Sequence, residues 1–524
     1  MASQGGRTRR RGGDTTVAGI LVWCLAAAGC GTASASEGAF GFDQVRQEAQ
    51  KRATQPYRSV EGDLPRAWQD LDYDGYRAIA FRSDKALWRQ EGLPFRVEFY
   101  HLGYLFRHPV KISIVDGSSG TPVSFSPYLF DYSASPVGGQ ELPSDVGFAG
   151  FRLLYPINGP VDHEEFISFL GATYFRAVGR HQVYGASARG MALDMGSRNE
   201  EFPLFTEFWI EKPAPEAQTI VVYALLDSPS VTGAYHFDIR PGDNTVVAVR
   251  AEIFARKTLR NLGIAPLTSM YLYGPSGPER LRDARPRVHD SDGLLIAEES
   301  NRWIWRPLSN PDAVSLSDFE GTAVRGFGLM QRDRDPNHYQ DPRTTYEKRP
   351  SIWVEIPDPS SVGPTDPWRR GAVRLLELPS EGEGQDNIGA CWVPAGSGES
   401  SFASAQGLSI RYRLHFGWGA PGGDEIGKVV ATRWSGRPEG GTRFEVDFDL
   451  GDTGEESTRR MPQAVVSATR GRVGPARVER DPSGRYWRVI FDVGRRGRRA
   501  AELRLYLQTG GRPLTETWTF PWPR

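Results

Sequence analysis

The sequence predicts an all-β protein of two domains behind a removable leader, and three observations carry that prediction. Glycine (59) and proline (38) are abundant while methionine (6) is scarce, a balance that favours short strands and tight turns over long helices. Aromatic and β-branched runs fill the first four hundred residues or so, and clear period-two alternation follows them. At 524 residues the chain is also too long for one ordinary core, so two domains are the prior. With 39% hydrophobic and 24% charged residues the composition is that of a globular protein.

The leader comes first. Arg7, Arg9, Arg10 and Arg11 precede the uncharged run "TVAGILVWCLAAAGCGTASA", which ends in Ala33-Ser34-Ala35. A positive start, a short apolar core and A-x-A describe a secretory signal peptide over residues 1–35. A twin-arginine route and a lipoprotein acylated at Cys30 are weaker readings. Cleavage would remove four arginines and Asp14, taking the net charge from −1 to −4. That mild acidity offers nothing to nucleic acid. Cys391 would be the one cysteine left, which excludes an intramolecular disulfide. No later apolar stretch is long enough to span a membrane.

An amphipathic helix is predicted at "FDQVRQEAQKRA" (42–53), with Phe42, Val45 and Ala49 on one side. "VEFYHLGYLF" (97–106) and "FTEFWIE" (205–211) read as aromatic strands, and "TIVVYALLD" (219–227) as a strand buried on both faces. Near "VPAGSGESS" (393–401) the residues turn small and turn-forming, so domains are expected over 36–396 and 402–524. In the second, "SIRYRLHF" (409–416), "FEVDFDL" (444–450), "YWRVIFDV" (486–493) and "AELRLYLQ" (501–508) alternate, as in an immunoglobulin-like sandwich. "GRRGRR" (494–499) reads as a charged hairpin tip.

Three near-motifs fail on their chemistry. "GASARG" (185–190) has Arg189 where the nucleophile elbow around Ser187 needs a glycine. "DRDPNHYQDPRT" (333–344) lacks the glycine and the glutamate of a calcium loop. "GGDEIGK" (422–428) has no phosphate-loop spacing.

"VHDSDG" (288–293) stays open between a metal site at His289, Asp290 and Asp292, a D-x-D sugar-nucleotide motif, a catalytic carboxylate and an Asx-type turn. A second acidic cluster, "ELPSEGEGQDNIGACW" (377–392), sets Asp386 at the entrance of an apolar strand, while Glu381 and Glu383 read as a solvated loop. Two carboxylates from separate segments suit acid/base glycosidic cleavage, one protonating the leaving oxygen and one activating water. Trp303, Trp305, Tyr339, Tyr346, Trp353 and Trp392 supply rings for stacking on sugars, although half or more of such aromatics would simply pack the core. Tyr339, Tyr346 and Arg349 are the better candidates for a loop over a groove.

At these residues the chain resembles the osmoregulated periplasmic glucan biosynthesis proteins of the G and D types, leaning towards D. The likeness rests on "PFRVEFYHLGYLF" (94–106), "FLGATYFRAVGRHQVYGASARGMALD" (169–194), "YALLDSPSVTGAYHF" (223–237), "RPRVHDSDGL" (285–294) and "GFGLMQRDRD" (326–335), and it spans almost the whole mature chain. The resemblance implies a large N-terminal β-supersandwich, related to the galactose-mutarotase type, followed by an immunoglobulin-like domain. It implies a periplasmic enzyme that cleaves β-1,2-glucan with inversion and needs no metal or other cofactor. By motif, Asp386 is the general acid and Asp290 the general base. The base would act through a relay of waters and a substrate hydroxyl. Asp292 is expected to structure the turn, and His289 to orient or pack. Three rivals remain open: a transglycosylase using the same two aspartates, a non-catalytic glucan-binding partner of the inner-membrane glucan synthase, and a D-x-D glycosyltransferase. The oligomeric state is open as well, a homodimer included.

Overall fold

The computed structural model describes residues 40–522, apart from 62–63, 139–145, 260, 276–282, 322–323, 358–362, 364–365, 396–406, 424, 438–439, 452–460 and 495–500. The expected signal peptide, the boundary around 396–402 and most of the arginine-rich tip lie outside the described residues.

The predicted helix forms at Phe42–Ala53 and buries Phe42, Val45 and Ala49. These meet Tyr223, Leu225, Ala234 and Phe254. The strand Ile220–Asp227 turns its other residues, Val222, Ala224 and Leu226, into the main core. A helix on one face and a second sheet on the other explain why this strand reads as continuously apolar.

Everything else of size is β. One sheet of ten strands runs from Arg96–His101 through Phe148–Tyr155, Glu164–Leu170, Tyr174–Ala177, Ser187–Arg189, Leu262–Ser269, Ile388–Pro394 and Gly371–Glu377 to Ser315–Gly321. It stacks on a sheet of fifteen strands, and rings interdigitate between the two: Phe151 and Phe169 on one side meet Phe208 on the other at 5.1 and 5.6 Å. Phe169 also touches Phe237 at 5.4 Å, and Phe175 reaches Phe416 at 6.3 Å. The chain is an all-β sandwich: the composition predicted the strands, and the resemblance implied the sandwich.

One strand is not where the alternation put it. Leu408–Gly417, expected in the C-terminal sandwich, lies in the large sheet between Thr245–Ala255 and Ser351–Glu355. Ile410, Tyr412, Leu414 and Phe416 sit in the main core. Period two reports that one face is buried and is silent on which sheet buries it.

Beyond that strand, Lys428–Gly436, Thr442–Asp449 and Trp487–Gly494 form a five-stranded sheet with two shorter strands. Its Phe444, Val446, Val489 and Phe491 share a core with Leu503, Leu505, Trp518 and Phe520 of the facing strands. Those facing strands extend the large sheet, because Thr517–Trp522 pairs in parallel with Trp303–Pro307. The two parts of the fold therefore share one continuous sheet.

Candidate functional site

The site is built from chain segments far apart in sequence. Val288–His289 pairs with Tyr271–Tyr273, with Tyr271 opposite His289, and the Asp290 amide donates to Met270 O at 2.8 Å. Asn387 grips the same segment from the other side. Its Oδ1 accepts from the Tyr271 amide at 2.8 Å, and its Nδ2 donates to Tyr271 O at 2.9 Å and Leu378 O at 3.0 Å. Tyr271 thus ties the residue before Asp290 to the residue after Asp386. The loop 378–387 is held at its start too, because the Ser380 amide donates to Asn310 Oδ1 and Asn310 Nδ2 donates to Ser380 O, at 2.9 and 2.8 Å.

The two carboxylates sit in opposite environments. Asp290 is 4% exposed and ion-paired with Arg349. Burial pushes its pKa up to about 6, the Arg349 guanidinium opposes that rise, and the charge of Asp386 adds to it. Asp386 keeps 37% of its side chain exposed, with Oδ2 3.7 Å from Arg176 Nη2. Arg176 also acts on Asp290, so one guanidinium faces both carboxylates. The arrangement sets a buried carboxylate able to titrate near neutrality beside one that faces solvent.

Arg349, expected to hold substrate, pairs with Asp290. Its guanidinium lies over the Tyr346 ring at 4.4 Å. Its stem packs against Gly185, where an added Cβ would come within 2.9 Å of Arg349 Cβ and Cδ. That close approach is what the glycine in "GASARG" is for. Tyr346 is buried, and its hydroxyl donates to Glu383 Oε2 at 2.6 Å. Glu383 is no free carboxylate of a solvated loop. Arg285 pairs with it at 2.5 Å while also holding Asp341 and Asp283, each at 2.6 Å. The Arg285 hydrogen bond keeps the Glu383 pKa below its ordinary value.

Asp292 organises the turn. Its Oδ2 accepts from the amides of Arg332 and Asp333, the latter at 2.9 Å. His289 is fully buried, stacks on Tyr271 at 5.3 Å and meets Gln331 Oε1 through Nδ1 at 3.1 Å. Gln331 donates onward to Tyr339 Oη and Tyr346 O, both at 2.9 Å. Asp290 and Asp292 point to different partners and do not converge as a D-x-D pair on a metal requires.

The tryptophans and Tyr339 belong to packing. Trp303, Trp305 and Trp353 lie in the core shared with the C-terminal sandwich. Gly293 makes room for the Trp305 ring, which a Cβ there would meet at 2.4 Å. Trp392 is fully buried, donating Nε1 to Pro367 O at 2.8 Å. Tyr339 is fully buried against His289 at 5.2 Å. Of the predicted set, the structure brings together Asp290, Asp386, Arg349 and Tyr346. Sequence reasoning missed Arg176, Arg285, Glu383 and Gln331, which lie on separate segments with no local motif. Asn387 was legible, since it directly follows Asp386.

Paired carboxylates set among arginines and phenols on a large β-sandwich are the equipment of a saccharide-handling protein. The chain belongs to the periplasmic glucan biosynthesis protein family MdoG, whose model matches residues 40–522. It is 45% identical over 514 residues to "Glucans biosynthesis protein D 1" of Ralstonia nicotianae, covering 94% of this chain and 93% of that one. It is 39% identical to "Probable glucans biosynthesis protein D" of Shewanella oneidensis, over 98% of this chain and 95% of that protein. "Glucans biosynthesis protein G" of Rhodopseudomonas palustris is 42% identical, covering 92% and 93% respectively. Among the described residues no helix is long and apolar enough to cross a membrane.

Proposed function

We propose that this protein is a periplasmic β-1,2-glucan hydrolase that cuts within the chain and inverts the anomeric centre. Asp386 protonates the leaving glycosidic oxygen, and Asp290 accepts a proton from the attacking water. The observation that supports this reading is that two carboxylates from separate segments, Asp290 and Asp386, meet at one site with the Arg176 guanidinium facing both. Two carboxylates at one site are what acid/base glycosidic cleavage requires, and the role of each follows the motif: the aspartate before Asn387 as acid and the one after His289 as base. Arg349 keeps a buried Asp290 ionisable, and the Tyr346 ring, anchored by its hydroxyl to Glu383, lies under Arg349. The periplasmic setting is supported by the family's name and the signal-like leader.

The reaction is tested by incubating purified protein with linear β-1,2-glucan in the presence of EDTA and sizing the products. Shorter linear chains are expected. Cyclic products of unchanged linkage would assign transfer in place of hydrolysis, and an untouched polymer would overturn the catalytic reading in favour of glucan binding alone.

A further inference from the structure

On the outer face of the ten-stranded sheet, one residue from each of four consecutive strands stands in line. Glu98 is opposite Arg152, Arg152 opposite Ser168, and Ser168 opposite Arg176. Their chain neighbours Phe99, Phe151, Phe169 and Phe175 face the core. Opposed residues of antiparallel strands share a face, and strands lie about 4.8 Å apart, so the row is about 14 Å long. Arg176 ends it, 3.7 Å from Asp386.

The row is charged and phenolic where a structural sheet face would be apolar. Arg152 Nη2 donates to Glu98 Oε2 at 2.6 Å, and Nη1 to Glu165 Oε2 at 2.9 Å. Tyr100 donates its hydroxyl to Glu165 Oε1 at 2.8 Å and lies with its ring 5.6 Å from the Arg152 guanidinium. Tyr184, beside Ser168 and Glu165, buries a hydroxyl that has no hydrogen-bond partner among the described residues, and it neighbours Gly185 behind Arg349. Arg152 and Arg176 stay 30% and 45% exposed while Glu98 and Ser168 are buried beside them, so the donors open to solvent on the line are the two guanidinium groups. Guanidinium groups donate to sugar hydroxyls, carboxylates accept from them, and phenol rings lie along sugar faces.

We propose that this row is a saccharide track, which holds the glucan chain on one side of the bond to be cut and leads it from Asp386 along the exposed guanidinium groups of Arg176 and Arg152. The proposal rests on the reading of Asp386 as the catalytic acid. It makes Arg152 a determinant of chain-length preference, acting several sugar units from the chemistry.

The test is calorimetric titration of full-length Asp386→Asn protein with linear β-1,2-gluco-oligosaccharides of increasing length. Affinity is expected to rise with length until the row is covered. Adding Arg152→Met should flatten that rise and weaken the longest chains about tenfold, while the affinity for the disaccharide is kept. Tyr100→Phe should give a smaller loss of the same kind, and it serves if Arg152→Met does not fold. A rise with length that neither variant alters overturns the track and leaves the hydrolase reading standing. Absence of binding at every length overturns both.

Discussion

Asp290 was legible as a candidate from "HDSD" alone, but its state was not, because burial under Arg349 joins positions 59 residues apart. With its pKa near 6 and the ionised form required as base, activity should fall on the acid side with a midpoint near pH 6. A pH profile of kcat/KM checks this. Arg349→Met removes the charge that holds Asp290 ionised, so the acid limb should move to higher pH and stability should drop by about 3 kcal/mol. The folded pKa stands above the unfolded value of about 3.9. Asp290 therefore favours folding below about pH 4, and that contribution is lost as pH rises to about 6. The Tm of wild type minus that of Asp290→Asn should fall across the same window. The tryptophans show the opposite limit of sequence reading. A large ring beside an arginine looks the same in sequence whether it meets sugar or core, and Trp303, Trp305, Trp353 and Trp392 meet core.

At the scale of elements, the helix Phe42–Ala53 and the doubly buried strand Ile220–Asp227 were readable because their signals are local: period 3.6 in one, a continuous apolar run in the other. Leu408–Gly417 was recognised as a strand and assigned to the wrong sheet, since partner choice depends on residues more than 150 positions away. Glu381 and Glu383 of the loop 378–387 were read as solvated and are exposed, but the sequence does not show that Asn387 pins one end of the loop and Asn310 the other. Asn387→Ala should therefore lower kcat about a hundredfold by freeing the acid, and cost about 2–3 kcal/mol in unpaired buried groups. The acid limb set by Asp290 should stay near pH 6 in that variant, which separates loss of positioning from loss of the base.

At the scale of the whole molecule, the continuous sheet couples the site to the C-terminal sandwich. Arg332 donates its amide to Asp292, lies 3.6 Å over the Trp305 ring, and pairs with the buried Glu516 at 2.6 Å. Glu516 also accepts from the Val429 amide at 2.7 Å. Glu516→Gln should lower Tm by several degrees, because it removes a buried partner from a charged guanidinium. Two domains were expected from length, but a shared sheet was not, since the pairing of Ile304 with Thr517 leaves no mark in either segment. In the proposed reaction two aspartates on this scaffold hydrolyse β-1,2-glucan by single displacement. Proton NMR of the reducing end released in the first turnovers tests it most directly, with Asp386→Asn and Asp290→Asn run in parallel. The α-anomer is expected from wild type, with a loss of about a thousandfold in each variant. Release of the β-anomer, or cleavage unchanged in either variant, would contradict it.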